Sequence, residues 1–253
     1  MQSFHLQDPA DAFVFDCDGT LSLLEGIDVL AHANGVGERV KALTEQAISH
    51  TGMSPEIYRE RIELTRPSRA QIMDLAQRYY AARVPYVVNL IDVLQQLGKT
   101  VYVVSSGLNP AVTLFATMLG IPADQVHAIK LIFSAKGEYV GYDESSVLTE
   151  HSGKHIIAQQ LKAKHNKLIW IGDGMNDVVV KDHVLRFIGF GGAVYRAHVE
   201  RLSDYYIKAQ SMAPVLSLGL TQAEADTLSQ EARVLYQAGV MLIESGEVMY
   251  YGM

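Results

Sequence analysis

The sequence predicts an α/β protein, with a Rossmann-like parallel sheet as its core, a helical cap insertion and a helical C-terminal extension. Short apolar runs of strand length alternate with stretches of helical periodicity, which is typical of a parallel sheet covered by helices on both faces. One long segment in the first third of the chain has only helical periodicity. The chain has 253 residues and is 49% hydrophobic, which is enough to bury a sizeable core.

Composition and charge exclude several classes of protein. Lys and Arg number 21 against 28 Asp and Glu, a net charge of −7, so we expect neither nucleic acid nor a membrane as a partner. No apolar run approaches the roughly 18 residues of a membrane helix. The N-terminal residues 1–5 do not resemble a signal peptide, and the single Cys17 excludes a disulfide framework. These observations predict a soluble, cytoplasmic enzyme or small-molecule module.

The first elements are a strand and a long helical segment. Ala12 to Asp16 is an apolar run that ends abruptly in polar residues, as a buried parallel strand does. Apolar positions between residues 27 and 82 recur at helical spacing, and Ser68 is a suitable N-cap within that segment. We therefore predict a core of residues 1–24 and 84–208, a helical cap insertion of residues 25–83 and a C-terminal extension of residues 209–253.

Beyond residue 85, strands and helices alternate. The predicted helices are 86–97, 111–119, 154–161 and one that starts at 177. The predicted strands are 101–104, 128–133, 139–142, 168–171, 187–190 and 205–207. A Lys-Gly turn between the second and third of these strands indicates a hairpin. Since ligands bind at the carboxyl ends of parallel strands, the residues that directly follow each strand are the candidate site residues.

Acids, hydroxyls and glycines follow the predicted strands. Asp16-Cys17-Asp18-Gly19-Thr20 follows the first strand, and Ser105-Ser106-Gly107 follows the second. Gly172-Asp173-Gly174-Met175-Asn176-Asp177 follows a later strand, and Lys154 opens a helix. Each group alone is a weak signal, but the combination in this order predicts a site for phosphoryl transfer.

The acid pair fits covalent catalysis by a carboxylate. Asp16 and Asp18 are two residues apart, so extended backbone points both side chains to one side. Neighbouring carboxylates push their pKa values apart, so one can act as a nucleophile while the other carries a proton. Mg²⁺ prefers hard oxygen ligands, which makes Asp16 and Asp173 candidate ligands.

The remaining groups fit the phosphate itself. Lys154 can neutralise charge that develops on a phosphoryl group. Ser105 and the backbone N–H groups of Ser106 and Gly107 can hold phosphate oxygens.

On these residues the sequence resembles the haloacid dehalogenase superfamily of phosphatases and, within it, the phosphoserine phosphatase family, especially its animal-type members. The motifs that carry the resemblance are Phe15 to Thr20, the Ser105 turn, Lys154 and Gly172 to Asp177. Further similar segments are the cap residues around Arg61, the hairpin at 137–144 and the segment 187–196. The resemblance covers about residues 10–208.

The resemblance implies a Mg²⁺-dependent phosphatase that hydrolyses O-phospho-L-serine through an aspartyl-phosphate intermediate. Asp16 would be the nucleophile and Asp18 the acid/base. The implied metal contacts are Asp16, Asp18 (through its backbone carbonyl) and Asp173, with Thr20 and Asp177 as supporting residues. The implied substrate contacts are Glu25 for the ammonium, Arg61 for the carboxylate, and Ser105, Ser106, Gly107 and Lys154 for the phosphoryl group, with Asn176 at the edge of the site.

Some positions depart from the family pattern. Ser106 replaces a glycine, Leu108 replaces a phenylalanine, and Ile48 and Ser54 replace a methionine and a phenylalanine of the cap. They leave substrate preference open, so the alternative is a phosphatase or phosphotransferase for another small phosphomonoester, such as phosphohomoserine or phosphoethanolamine. A signalling receiver module, which also combines acids, a hydroxyl and a lysine, is disfavoured by the length of the chain and its helical insertion.

Within the C-terminal extension, a capping box, Thr221-x-x-Glu224, predicts the start of a helix. After it, two sets of positions repeat every seven residues: Leu228, Leu235 and Leu242, and Ala225, Ala232 and Gly239. This pattern fits equally a helix that packs on its own domain and a homodimer through the C-terminal helix.

Overall fold

The structure is a computed structural model that describes residues 4–48 and 54–251. Within these residues eight strands form one sheet: β1 Ala12–Phe15, β2 Thr100–Asn109, β3 Val126–Phe133, β4 Tyr139–Tyr142, β5 Leu168–Gly172, β6 Arg186–Phe190, β7 Tyr205–Ile207 and β8 Val248–Tyr250. Their order is β4-β3-β2-β1-β5-β6-β7-β8. All neighbours are parallel except β3 with β4 and β7 with β8, which are antiparallel. The predicted α/β fold with a parallel core is confirmed.

Strand β1 lies at the centre of the sheet because all of its residues are apolar and can be buried on both faces. It pairs with β2 on one side and with β5 on the other, and all four of its residues are buried. The carboxyl ends of these three strands therefore meet at one edge. The polar segments that follow β1 and β5 come together there.

The helices within the described residues are α1 Gly26–Ala33, α2 Gly37–Ile48, α3 Pro55–Thr65, α4 Arg69–Ala81, α5 Val87–Gln96, α6 Ala111–Met118, α7 Gly153–Lys162, α8 Met175–Val178, α9 Ala197–Leu202, α10 Ala213–Gly219, α11 Gln222–Asp226 and α12 Gln230–Glu244. None of them is long and apolar enough to cross a membrane. Helices α1 to α4 follow one another between β1 and β2, as the helical periodicity predicts. Ser68 caps α4 by accepting a hydrogen bond from the backbone N–H of Gln71 at 3.3 Å.

Strand β2 is longer than the sequence predicts. It continues to Asn109 instead of ending at Val104, and its register against β3 shifts between Val104 and Leu108. The segment 105–107 therefore lies in a bulge, which interrupts regular pairing while the strand continues on either side. A polar Ser-Ser-Gly sequence can thus belong to a strand and still face a ligand.

The C-terminal extension is helical as predicted, with two differences. The helical stretch is broken, because α11 ends at Asp226 and Ser229 starts a new helix by accepting a hydrogen bond from Ala232 N at 3.2 Å. The chain then adds strand β8, which pairs with β7 at the edge of the sheet. A repeat every seven residues contains no information on a strand of three residues, so β8 could not be predicted from that pattern.

The repeating positions of the extension face the protein itself. Ala232 and Leu235 on α12 are buried, and a Cβ atom at Gly239 would lie 2.4 Å from the carbonyl oxygen of Ala213 on α10. The close approach of α10 and α12 requires a glycine at this point. The small and large layers of the pattern therefore pack within one chain and do not by themselves support a homodimer.

Candidate active site

A cleft of about 570 Å³, open to solvent, lies where β1, β2 and β5 end. Helices α1 and α3 cover it from the other side. It brings together nine of the predicted site residues: Asp16, Asp18, Glu25, Arg61, Ser105, Ser106, Gly107, Asp173 and Asn176. Of the other three predicted residues, Thr20 contacts Asp173 and Lys154 contacts Asp16, while Asp177 contacts Lys154.

Asp16 lies at the end of β1, with both carboxylate oxygens in contact with the protein. Its Oδ1 accepts a hydrogen bond from the backbone N–H of Cys17 at 2.7 Å, and its Oδ2 lies 2.9 Å from Lys154 Nζ. Burial raises the pKa of Asp16 well above its usual range, Lys154 opposes that rise, and the carboxylates of Asp177 and Asp173 add to it. The side chain is thus fixed in one orientation at the floor of the cleft.

Lys154 connects two acids beneath the cleft. It lies in the first turn of α7 and is 1% exposed, with Nζ 2.9 Å from Asp16 Oδ2 and 2.7 Å from Asp177 Oδ1. Burial lowers the pKa of the ammonium, but the two carboxylates outweigh it and the pKa lies above its ordinary value. Lys154 is therefore a fixed positive charge beside Asp16.

Asp177 has all its contacts with protein donors. Its Oδ1 accepts hydrogen bonds from Lys154 Nζ at 2.7 Å and from Trp170 Nε1 at 2.9 Å, and its Oδ2 accepts one from Gly174 N at 3.2 Å. The side chain is fully buried. This arrangement orients the lysine and the loop after β5.

Asp173 follows β5 and is held from two sides. Its Oδ1 accepts a hydrogen bond from Thr20 Oγ1 at 3.4 Å, and its Oδ2 accepts two from Arg196, at 3.2 Å from Nε and 3.1 Å from Nη2. Gly19 makes this approach possible, because its φ is +69° and a Cβ atom there would lie 2.6 Å from Asp173 Oδ2. The sequence analysis did not include Arg196 in the site, although the residue lies in a segment that it singled out.

The acids of the cleft can bind a metal ion. Asp16, Asp173 and Asp177 are buried and offer ligand oxygens that all lie within 4.8 Å of one another. Among the described residues around the cleft are five acids, Asp16, Asp18, Glu25, Asp173 and Asp177, and three cations, Arg61, Lys154 and Arg196. With every group ionised, five against three leaves two surplus negative charges, which one divalent cation would balance. Carboxylate oxygens are the donors that hard divalent cations prefer.

Asp18 is fixed by a residue of α4 to which no sequence motif points. Its Oδ1 accepts hydrogen bonds from the hydroxyl of Tyr79, on α4, and from the backbone N–H of Gly26, both at 2.6 Å. Burial raises the pKa of Asp18 above its ordinary value despite these hydrogen bonds, which lower it. A Cβ atom on Gly107 would lie 2.6 Å from Asp18 Oδ2, so this second oxygen lies against the cleft lining. It is the oxygen that can transfer a proton.

Tyr79 carried no sequence signal because it occupies an ordinary buried position of an amphipathic helix. Its ring stacks on Phe115, with centroids 5.5 Å apart, and only its hydroxyl reaches the site.

Glu25 and Arg61 place opposite charges on the side of the cleft that α1 and α3 form. Glu25 is the N-cap residue of α1, and Arg61 lies on α3 with 5% of its surface exposed. Burial raises the pKa of Glu25 well above its usual range, and the carboxylates of Asp18 and Asp173 raise it further, while Arg61 lowers it. This side of the cleft thus offers the carboxyl group of Glu25 at the start of α1 and the guanidinium of Arg61 on α3.

The bulge in β2 forms the third side of the cleft. Ser105 is 1% exposed, and its hydroxyl oxygen accepts a hydrogen bond from Gly107 N at 2.9 Å. The hydroxyl of Ser106 donates to the carbonyl oxygen of Leu148 at 2.8 Å. The extra side chain of Ser106 is therefore anchored to the loop before α7.

Comparison with known proteins gives the family. The sequence profile of haloacid dehalogenase-like hydrolases matches residues 10–179. Phosphoserine phosphatase from Bos taurus is 35% identical over 200 residues, which cover 78% of this chain and 89% of that protein. The chain belongs to the phosphoserine phosphatase family of haloacid dehalogenase-like hydrolases. The Drosophila melanogaster member is 34% identical over 197 residues, 76% of this chain and 73% of that protein.

Solved structures of phosphoserine phosphatase share this fold. A phospho-aspartyl intermediate analogue of phosphoserine phosphatase superposes with a TM-score of 0.72 and 25% identity, over 83% of this chain and 98% of that one. A substrate-bound complex gives the same TM-score and coverage. As a member of the family the protein is a phosphatase, and its acidic cluster fits metal-dependent phosphoryl transfer through an aspartyl intermediate.

The departures from the family pattern have different structural settings. Leu108 is 2% exposed and lines the cleft. The side chain of Ser54 caps α3 by accepting a hydrogen bond from Ile57 N at 3.3 Å. The side chain of Ile48 lies outside the described part of the chain. Among the departures whose side chains the structure describes, Ser106 and Leu108 line the cleft and can change its shape directly.

Proposed function

We propose that this protein hydrolyses O-phospho-L-serine to L-serine and phosphate, with Mg²⁺ as cofactor and a phosphoryl group carried transiently on Asp16. One observation carries the proposal. The same cleft holds a lysine-paired aspartate, an acid and a guanidinium, which are Asp16, Glu25 and Arg61. Phosphoserine has a phosphoryl group, an ammonium and a carboxylate, so each of its charged groups finds a partner of suitable chemistry.

In the first half-reaction, Asp16 Oδ attacks phosphorus and the serine oxygen leaves. The protonated Asp18 donates its proton to that oxygen, which avoids an alkoxide leaving group. Lys154 and the hydroxyl of Ser105 stabilise the charge on the phosphoryl oxygens, together with backbone N–H groups of the β2 bulge. The raised pKa of Asp18 supports its role as the proton donor.

In the second half-reaction, water replaces Asp16 on phosphorus and releases phosphate. Asp18, now ionised, accepts a proton from the attacking water. The residues that would hold Mg²⁺ are Asp16, Asp173 and the backbone carbonyl of Asp18, supported by Thr20 and Asp177. The ion would supply positive charge to the phosphoryl oxygens throughout.

The amino-acid part of the substrate is assigned to the side of the cleft that α1 and α3 form. Glu25 would hold the ammonium and Arg61 the carboxylate through its planar fork of N–H donors. Asn176 would lie at the edge, near the phosphoryl group. We further propose that residues 25–83 act as a cap on a core of residues 1–24 and 84–208, closing over the substrate and excluding water.

Phosphate release tests the proposal directly. The substrates are phosphoserine, phosphothreonine, phosphohomoserine, phosphoethanolamine and a set of sugar phosphates, each with Mg²⁺ and with excess chelator. We expect the highest kcat/KM for phosphoserine, and no phosphate release from any substrate in excess chelator. A higher kcat/KM for another phosphomonoester would instead favour the alternative function.

The role of Arg61 has a matched control on the same helix. Arg61→Ala should lower kcat/KM for phosphoserine by a factor that corresponds to about 2–5 kcal/mol, because a buried charge loses its partner. Phosphoethanolamine lacks the carboxylate, so its kcat/KM should hardly change. Arg59→Ala removes an arginine that is 54% exposed and pairs with Glu144, and it should leave both substrates unaffected. Equal losses on both substrates for Arg61→Ala would contradict the carboxylate assignment.

The homodimer through the C-terminal helix stays a prediction, although the repeat positions that suggested it are used in packing within one chain. Light scattering of the full chain would test the homodimer. A mass of two chains would support it, and a mass of one chain would contradict it.

A further inference from the structure

A buried hydroxyl in the cleft has no role in the chemistry described so far. Tyr58 lies on α3, one turn before Arg61, and lines the same cleft. The residue is 2% exposed, and its hydroxyl has no hydrogen-bond partner among the residues that the structure describes. Since buried polar groups are nearly always hydrogen-bonded, an unpartnered hydroxyl at a ligand cleft indicates a partner that arrives with the ligand.

Packing fixes the direction of this hydroxyl. The ring of Tyr58 meets the ring of Tyr142, on β4, edge to face, with centroids 5.1 Å apart and an angle of 65° between the planes. The side chain is enclosed on that side and cannot turn out to solvent. Burial raises the pKa of the Tyr58 phenol well above its usual value, so the group stays protonated and can donate.

The position of the hydroxyl identifies the end of the substrate that it meets. Tyr58 and Arg61 are three residues apart on one helix, so their side chains project from the same face. Among the surrounding charges, the Arg61 guanidinium has the largest effect on the Tyr58 hydroxyl. A positive charge at this end excludes the substrate ammonium and attracts an anionic acceptor.

We propose that the Tyr58 hydroxyl donates a hydrogen bond to the substrate carboxylate that Arg61 binds, and that it selects phosphomonoesters which carry a carboxylate. This inference rests on the proposed function, because it deepens the recognition of the amino-acid part. A carboxylate has about four acceptor positions, so it can take the fork of Arg61 and a third donor at once. A substrate without a carboxylate leaves the hydroxyl unpartnered, and such an unmet hydrogen bond is a strong source of discrimination.

The test is Tyr58→Phe, which keeps the ring and removes only the hydroxyl. We expect kcat/KM for phosphoserine to fall about 10- to 100-fold, as for the loss of one hydrogen bond to a charged group. The loss should appear mainly in KM, while kcat/KM for phosphoethanolamine stays within about twofold, because that substrate offers no acceptor there. Tyr139→Phe is the matched control, since the hydroxyl of Tyr139 donates to Glu63 at 3.0 Å and the residue does not line the cleft.

Thermal unfolding separates recognition from a structural role. Without ligand, Tyr58→Phe should melt at the wild-type temperature or above it, because the change removes an unpartnered buried group. A non-hydrolysable phosphonate analogue of phosphoserine should then raise the melting temperature of wild type more than that of Tyr58→Phe. A lower melting temperature of the ligand-free variant, or equal stabilisation by the analogue, would overturn the inference.

Two kinetic results are also decisive. If wild type hydrolyses phosphoserine and Tyr58→Phe does so equally well, the inference fails and the proposed function stands. If wild type does not hydrolyse phosphoserine, the proposed function fails and takes the inference with it.

Discussion

Replacing Lys154 with methionine should both destabilise the protein and nearly abolish its turnover. The lysine side chain is 1% exposed and pairs with Asp16 and Asp177, whose side chains are 10% and 0% exposed. Methionine fills a similar volume but leaves two buried carboxylates without their cation. Removing one partner of a buried ion pair costs about 3–5 kcal/mol, which lowers the melting temperature of a chain of this size by about 6–20 °C.

The pH dependence has a defined sign. The folded pKa of Lys154 lies above its ordinary value of 10.5, so its contribution to stability is complete below that value and disappears as pH rises through the folded pKa. At acidic pH the difference between wild type and Lys154→Met should also shrink. The reason is that Asp16, whose pKa is raised by burial, takes up a proton and no longer needs a cation.

Urea unfolding in excess chelator is the suitable assay, since a bound cation would compensate for the missing lysine. Lys181→Met is the control, because Lys181 pairs with Asp204 at the surface, with side chains 36% and 27% exposed. It should cost no more than about 1 kcal/mol. The double variant Asp16→Asn with Lys154→Met should recover part of the stability that Lys154→Met loses. If Lys154→Met is no less stable than Lys181→Met, the reasoning from buried charge is refuted.

Three further predictions concern the acids, the metal and the extension. Asp16→Asn should abolish phosphate release. Asp18→Asn should release phosphate about 10² to 10⁴ times more slowly than wild type, or accumulate a phospho-enzyme that mass spectrometry can detect. Substantial turnover by Asp16→Asn would exclude the covalent route. Excess chelator should stop turnover, Mg²⁺ should restore it and Ca²⁺ should do so poorly. Burial raises the folded pKa values of Asp16, Asp18 and Asp173 above 3.8, so in chelator the protein should become less stable as pH rises from 3.8 toward neutrality. Mg²⁺ should reduce this loss of stability. A melting temperature that does not depend on pH in chelator would contradict the surplus of negative charge. Gly239→Val should lower the free energy of unfolding by about 1–3 kcal/mol, because its Cβ would lie 2.4 Å from both the carbonyl oxygen of Ala213 and Ser217 Oγ. The kcat should not change. Unaltered urea unfolding would show that α10 and α12 are further apart than described.

Much of the fold could be predicted because parallel strands buried on both faces are short, continuous apolar runs. β1 and β5 are such runs, and the acids that follow them are adjacent in sequence to a recognisable element. The bulge in β2 could not be predicted, because pairing with β3 resumes at Leu108 only through contacts that join distant parts of the chain. Strand β8 was missed for the same reason, since three residues carry no periodicity and depend on β7 for their hydrogen bonds.

The sequence by itself determined the chemistry of this protein: which acids follow the strands, that a lysine and a serine accompany them, and that a helical segment interrupts the core. Only the tertiary structure decided which partner each acid takes. Asp18 meets Tyr79 across 61 residues of sequence, and Asp173 meets Arg196 across 23. Such contacts depend on how helices pack on the sheet, and the local pattern around a tyrosine is the same whether its hydroxyl meets a buried carboxyl group or solvent. For the same physical reason, the repeat by itself could not show that Ala232, Leu235 and Gly239 pack within their own chain, where Gly239 lies against α10.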